Sequence, residues 1–283
     1  MAVAATPSPS TEQDVIELTK NSDTAPAAPA KKKAPEMTEE TYNWNVFKVT
    51  AVNTCMFSHM TSNMVMYTLS QWSPTIYADL GCSMVQTGSY LAVPGVASFF
   101  INWVVAAVEM RMIAAGITTQ QIRRRVCFAA HCWTGSASIL FGVSKSPLQA
   151  VVASVLVQIG MSFNGMTWNQ VSLSHKQPLH VPRRFFKRRP LIHCLCFQNY
   201  YEVGGSDTAL ISSVGNLFAN LPGVGTTALG AVMLRRTGSL ALLLWLTGIA
   251  QVTSGVFFAL TCETTSARVL LDQRVTRAAA KRT

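Results

Sequence analysis

Six stretches of this chain contain no Asp, Glu, Lys or Arg: residues 49–78, 80–108, 126–144, 146–175, 208–234 and 237–262. They are 30, 29, 19, 30, 27 and 26 residues long. A helix needs about 20 apolar residues to cross the roughly 30 Å hydrocarbon core of a bilayer. A soluble core rarely calls for one charge-free run of that length, and six in succession predict an all-α membrane protein with six transmembrane helices. Only 13% of the 283 residues are charged, against about 25% in ordinary soluble domains.

The charges that remain are unevenly placed. Seven of the 13 acids fall in the first 40 residues. With both termini on the cytoplasmic side, as an even helix number allows, twenty of the 23 Lys and Arg residues lie in cytoplasmic segments; the exceptions are Lys145, Arg235 and Arg236. That asymmetry is what the positive-inside rule expects. The net charge of +10 then reports topology and contact with anionic membrane lipid, and nucleic acid is not an expected partner.

Hydropathy and breakers set the expected helices at about 46–72, 87–112, 122–144, 147–172, 206–233 and 238–262. Pro74 is expected to stop the first, and Pro94 to kink the second. Pro147 is well placed at the start of the fourth. Arg235-Arg236-Thr237-Gly238 is so short a link that the last two helices must be an antiparallel pair. Leu240–Leu246 is almost wholly aliphatic and suits a lipid-facing surface. Residues 1–44, rich in Pro, Ala, Ser, Thr and Lys, read as a disordered cytoplasmic tail or linker. Residues 266–283 read as a basic cytoplasmic tail. Residues 177–201 hold three prolines, five basic residues and no acid, and read either as a basic cytoplasmic insert or as a translated intron.

Motifs for chemistry are missing. The seven cysteines form no CxxC pair, and His193-Cys194-Leu195-Cys196 lacks the spacing of zinc knuckles. No phosphate loop, dinucleotide fingerprint, nucleophile elbow or HExxH pattern is present. The expectation is a non-enzyme with no metal and no cofactor.

Polar residues inside the charge-free windows are the candidates for function, because polar groups at membrane depth are costly unless they face protein or water. His59, Asn63 and Tyr67 are four apart and share one helix face. They read as lining a substrate cavity or as interhelical hydrogen bonds, and the imidazole of His59 is a candidate proton-coupling group. Asn164 and Asn216 are mid-helix polar residues with the same two readings. His131 reads as an ordinary interface histidine. Gly215, Ala219, Gly223, Thr227 and Ala231 recur every four residues and predict close helix packing. Glu109, Arg111, Arg123 and Arg124 read either as a charge latch across a cytoplasmic loop or as a solvated positive-inside loop.

Three stretches carry a family resemblance: His59-x-x-x-Asn63-x-x-x-Tyr67-Thr68-Leu69-x-x-Trp72-x-Pro74-Thr75; Gly88-x-x-x-Ala92-Val93-Pro94 with Gly116-Ile117-Thr118-Thr119-x-x-x-Arg123-Arg124; and Ser174-His175, Glu202-Val203, Ser213-x-x-Asn216, Leu221-Pro222-Gly223 and Arg236-Thr237-Gly238-Ser239. Together they resemble the anion:cation symporter branch of the major facilitator superfamily, the group of sodium/phosphate cotransporters, sialin and vesicular glutamate transporters. The resemblance covers about residues 44–265 and matches the C-terminal six-helix half. It implies secondary transport of an organic or inorganic anion by alternating access, coupled to sodium or protons. It places Asn216 at a family asparagine and the fifth helix at the moving interface between halves. Ser62 stands where vesicular glutamate transporters carry an arginine, which argues against their substrate. In family spacing Lys176 joins Glu202 directly, leaving 177–201 extra, and 1–44 resembles the central cytoplasmic loop. A chain holding only this half is expected to transport when it dimerises or pairs with a second half-transporter. The alternative is a non-transporting membrane scaffold derived from a transporter.

Overall fold

The computed structural model describes residues 43–169, Tyr200 and residues 203–280. The expectations for residues 1–42, for Ser174, His175 and Glu202, and for the 177–201 segment except Tyr200 lie outside the described residues. Among the described residues seven α-helices have both ends defined: α1 (Thr50–Asp79), α2 (Met84–Ala114), α3 (Thr119–Gly142), α4 (Pro147–Asn169), α5 (Thr208–Thr237), α6 (Ala241–Thr261) and α7 (Ala267–Ala280). Single 3-10 turns at Trp44–Lys48 and Gly205–Asp207 precede α1 and α5. There is no β-strand among the described residues.

Local chemistry sets the helix starts. Ser83 and Gln86 form a capping box at α2, and Thr118 and Gln121 form one at α3. Each pair satisfies backbone N–H groups that a helix leaves without internal partners. These boxes start α2 and α3 three residues before the positions expected from hydropathy. Gly238 closes α5 with φ 66°, its N–H donating to the Leu234 carbonyl at 2.9 Å. A left-handed residue at that point costs glycine little, so the chain reverses in a few residues. Yet α5 and α6 touch only lightly, and α5 packs chiefly on α1.

Two expectations are corrected. Pro74 does not end α1, which continues to Asp79. The proline removes one hydrogen bond, but Tyr77 beyond it is buried between Phe141 and Tyr90, and that packing carries the helix onward. The second correction is α7, which occupies what was read as a tail. Its Leu270 and Leu271 pack on a core cluster with Val46, Val52 and Phe258, and its Arg268 grips Asp207.

Four of the helices, α2, α4, α5 and α6, are long and apolar enough to cross a membrane. The described residues are all-helical, and these four apolar helices make the chain a membrane-embedded protein. Its distribution of polarity is that of a solute in lipid. Large apolar side chains face outward, among them Phe100 (64% exposed), Val224 (78%) and Ile249 (53%). Ser58, Thr61, Thr68, His131, Ser138, Gln251 and Ser254 are buried. In α6 the aliphatic run is split: Leu240, Leu243 and Leu244 face the core, and Leu242 and Leu246 face out. Helices α1, α3, α4 and α6 form the centre, with α3 packed most extensively on α6 and α4. Helix α2 leans on α4 and buries only Val105.

Candidate functional site

Helix α1 carries polar residues on two sides, and each side meets different neighbours. The inner side joins a hydrogen-bonded network drawn from four helices. Asn164 Nδ2 on α4 donates to Ser62 Oγ on α1 at 2.7 Å. Gln251 Nε2 on α6 reaches the same Oγ at 3.3 Å. Ser62 Oγ donates in turn to the Ser58 carbonyl at 2.9 Å. Thr61 Oγ1 and Ser254 Oγ lie 2.7 Å apart, tying α1 again to α6.

His131 on α3 stands at the centre of this crossing. Its Nδ1 is 2.9 Å from the Cys127 carbonyl, which can only accept, so Nδ1 carries the proton. The neutral ring then accepts at Nε2 from the Ser58 hydroxyl, 2.8 Å away. Cys127 Sγ points to Asn164 Oδ1 at 3.7 Å and closes the network. Gln251 Oε1 and Ser162 Oγ are buried and find no hydrogen-bond partner among the described residues.

The outer side of α1 forms a polar seam with α5. His59 Nδ1 is 3.1 Å from the Tyr200 hydroxyl. The Tyr67 hydroxyl donates to Asn220 Oδ1. Gln71 Nε2 donates to the Gly223 carbonyl at 3.1 Å, and Thr227 Oγ1 donates to Gln71 Oε1. Trp72 Nε1 donates to the Thr226 carbonyl at 3.2 Å. Asn63 and Asn216 are half-buried, whereas Gln71, Asn220 and Thr227 are exposed. The Asn216 carbonyl accepts from Asn220 Nδ2 at 2.8 Å.

Small residues make the seam close. A Cβ at Gly215 would lie 2.5 Å from the Tyr200 hydroxyl, and one at Gly230 would lie 2.5 Å from the Trp72 indole. Gly223 faces the ring of Tyr67, and Ala219 is fully buried. The stripe of Gly215, Ala219 and Gly223 thus lies where α5 meets α1 and Tyr200. Tyr200 belongs to the segment read as extra, yet it is fully buried in the core.

The five cavity candidates therefore fall into two groups. His59, Asn63, Tyr67 and Asn216 lie along the α1–α5 seam, and Asn164 lies in the inner network. The four latch candidates differ in exposure. Arg123 is wholly buried, which excludes a solvated loop at that position, whereas Arg111 is exposed and Glu109 half-buried. Arg124 turns to the α6–α7 link: its Nε and Nη2 donate to the Cys262 carbonyl at 3.1 and 2.9 Å, with Glu263 at 3.6 Å.

Sequence reasoning missed three features. One is the central role of His131, which an isolated histidine in an apolar helix does not announce. Another is the crossing of α3 and α6, where a Cβ at Gly135 would lie 2.4 Å from the Gly248 carbonyl oxygen. The matched seven-residue spacings Gly135–Gly142 and Gly248–Gly255 are the signal that could have found it. The third is the buried Asp207, held by Arg268. Among the described residues no group of three His, Cys, Asp or Glu side chains is arranged to hold a metal ion. No family model matches this chain, and no curated protein matches it.

Proposed function

We propose that the chain is a six-helix module of a secondary transporter for a phosphate- or carboxylate-class anion, as its resemblance to the C-terminal half of the anion:cation symporters implies. In this reading α1 and α3 cross the bilayer beside the four apolar helices, α1 with one polar side in the inner network and the other in the seam, and both termini are cytoplasmic.

The observation that carries the reading is the α1–α5 seam. Asn63, Gln71, Asn216, Asn220 and Thr227 stand near the middle of two long helices, half-buried or exposed. Facing lipid, such groups are expensive; facing a water-filled cavity, they are not. They supply neutral donors, and neither charge-free window contributes a carboxylate to repel an anion. This module rocks against a second six-helix body, from the same polypeptide or another copy, and alternately opens the seam to each side. His59, in contact with Tyr200 at one end of the seam, is the candidate group for proton coupling; sodium is the other candidate coupling ion.

The test is uptake of phosphate, glutamate and sialate by proteoliposomes carrying the full chain at a density that allows pairing, under inward sodium or proton gradients. One of these anions is expected to accumulate, and Asn216→Leu to lower its uptake at least tenfold with an unchanged melting temperature. Absence of uptake for every anion and gradient, or uptake indifferent to Asn216→Leu, would favour the scaffold alternative.

A further inference from the structure

A second polar feature lies at the end of the bundle where α1, α3 and α5 begin and α6 ends. The link is direct: Thr54 Oγ1 and Thr261 Oγ1 are 2.7 Å apart, Arg124 holds the Cys262 carbonyl, and Arg274 Nη1 donates to the Lys48 carbonyl at 3.2 Å. Between α7 and the start of α1 lies a cleft of about 320 Å³, lined by Thr50, Thr261, Glu263, Gln273, Arg274 and Arg277 among others.

The charge balance of this cleft is positive. Glu263, its one acid, is engaged by Arg124 at 3.6 Å and by Gln120 Nε2 at 3.1 Å. Asp207, nearby at the start of α5, is held by both Arg268 Nε and Nη2. No acidic side chain among the described residues pairs with Arg274 or Arg277, and both are exposed. Two guanidinium groups, hydroxyls and an amide around one opening suit a phosphate group, since guanidinium forks match its oxygens.

We infer that this cleft binds the phosphate headgroup of an anionic membrane lipid, with Arg274 and Arg277 as its principal ligands. A lipid supplies the phosphate because the cleft sits at the end of an apolar-surfaced bundle. At that level the bilayer presents its headgroups, and each arginine near an anionic surface adds measurably to binding. The inference depends on the membrane placement of the bundle and not on the transport reading. Uptake could fail while lipid binding stands.

The experiment is lipid titration of the detergent-solubilised full chain, followed by native mass spectrometry. Phosphatidylcholine, phosphatidylserine and a phosphatidylinositol phosphate are the probes. At least one anionic lipid is expected to bind tenfold or more tighter than phosphatidylcholine. Arg277→Gln, which removes no hydrogen bond or ion pair among the described residues, is expected to weaken it several-fold, Arg274→Gln with Arg277→Gln to abolish the preference, and Arg277→Lys to restore part of it. Lys145→Gln, near the opposite end, should change nothing. Equal binding of neutral and anionic lipid, or a preference that survives the double substitution, overturns the inference. So does inorganic phosphate competing at the concentration at which the lipid binds, which would make this a site for the free anion.

Discussion

Asn164 and Ser62 meet across 2.7 Å in the middle of the bundle, one from α4 and one from α1, and both are buried. The amide also accepts from Cys127, so one side chain joins three helices. Asn164→Leu is expected to lower stability by about 1 kcal/mol, in the range of interhelical hydrogen bonds in membrane bundles. Ser62→Ala should cost at least as much, because it also strands Gln251 Nε2, and the double variant less than the sum, because the two share one interaction. Thermal unfolding in detergent measures all three; strict additivity would contradict the network.

The α3–α6 crossing gives a sharper test. A methyl at Gly248 meets the backbone oxygen of Gly135 at 2.5 Å, and backbone cannot swing aside. Gly248→Ala should therefore destabilise by about 1–3 kcal/mol, as overpacked cores do. Gly225→Ala on α5 meets nothing among the described residues within 4 Å and should be neutral or slightly stabilising, since alanine favours helix. Melting temperatures of the two variants should move apart.

Tyr200 and Gly215 supply a third prediction. The ring fills the space that a side chain at Gly215 would need. Gly215→Leu should expel the tyrosine from its contact with His59, and Tyr200→Ala should leave a void costing about 3 kcal/mol or more. Deleting residues 177–201 should reproduce the Tyr200→Ala loss. A deletion variant as stable as the full chain would contradict this packing.

Much of this architecture was legible in the spacing of charges. Each charge-free window overlaps a long helix, and four of those helices are apolar enough to cross a membrane. The small-residue stripe on α5 was legible because four-residue spacing marks one helix face. Helix ends were less so: capping boxes and the burial of Tyr77 moved them, and the latter depends on residues distant in sequence. The site was read only in part. His59, Asn63 and Tyr67 share a face, but which neighbour that face meets is a tertiary fact, as is the position of Asn164 on the other side of α1. Arg268 looked like one more basic tail residue; only folding brings the buried carboxylate of Asp207 within 2.6 Å of it.

That pair yields a fourth prediction. Asp207 is fully buried and receives two bonds from Arg268, at 2.6 and 2.8 Å, and one from the Asn43 backbone N–H. Arg268→Ala leaves a buried carboxylate without its counter-charge and should cost about 3 kcal/mol, the low end for a broken buried pair because Arg268 itself is partly exposed. Arg268→Lys should recover only part, because an ammonium cannot make the paired contact. Limited proteolysis should cut α7 sooner in Arg268→Ala than in the parent chain.

The central claim is that the α1–α5 seam faces water while the outside of α6 faces lipid. In a background with the half-buried Cys82 and Cys132, and Cys194 and Cys196, replaced by serine, Asn63→Cys, Asn220→Cys and Ile249→Cys are each treated with a membrane-impermeant thiol reagent in sealed vesicles. Asn63→Cys and Asn220→Cys are predicted to react at least tenfold faster than Ile249→Cys, and to be protected by the transported anion. Equal, slow labelling at all three positions would contradict the account.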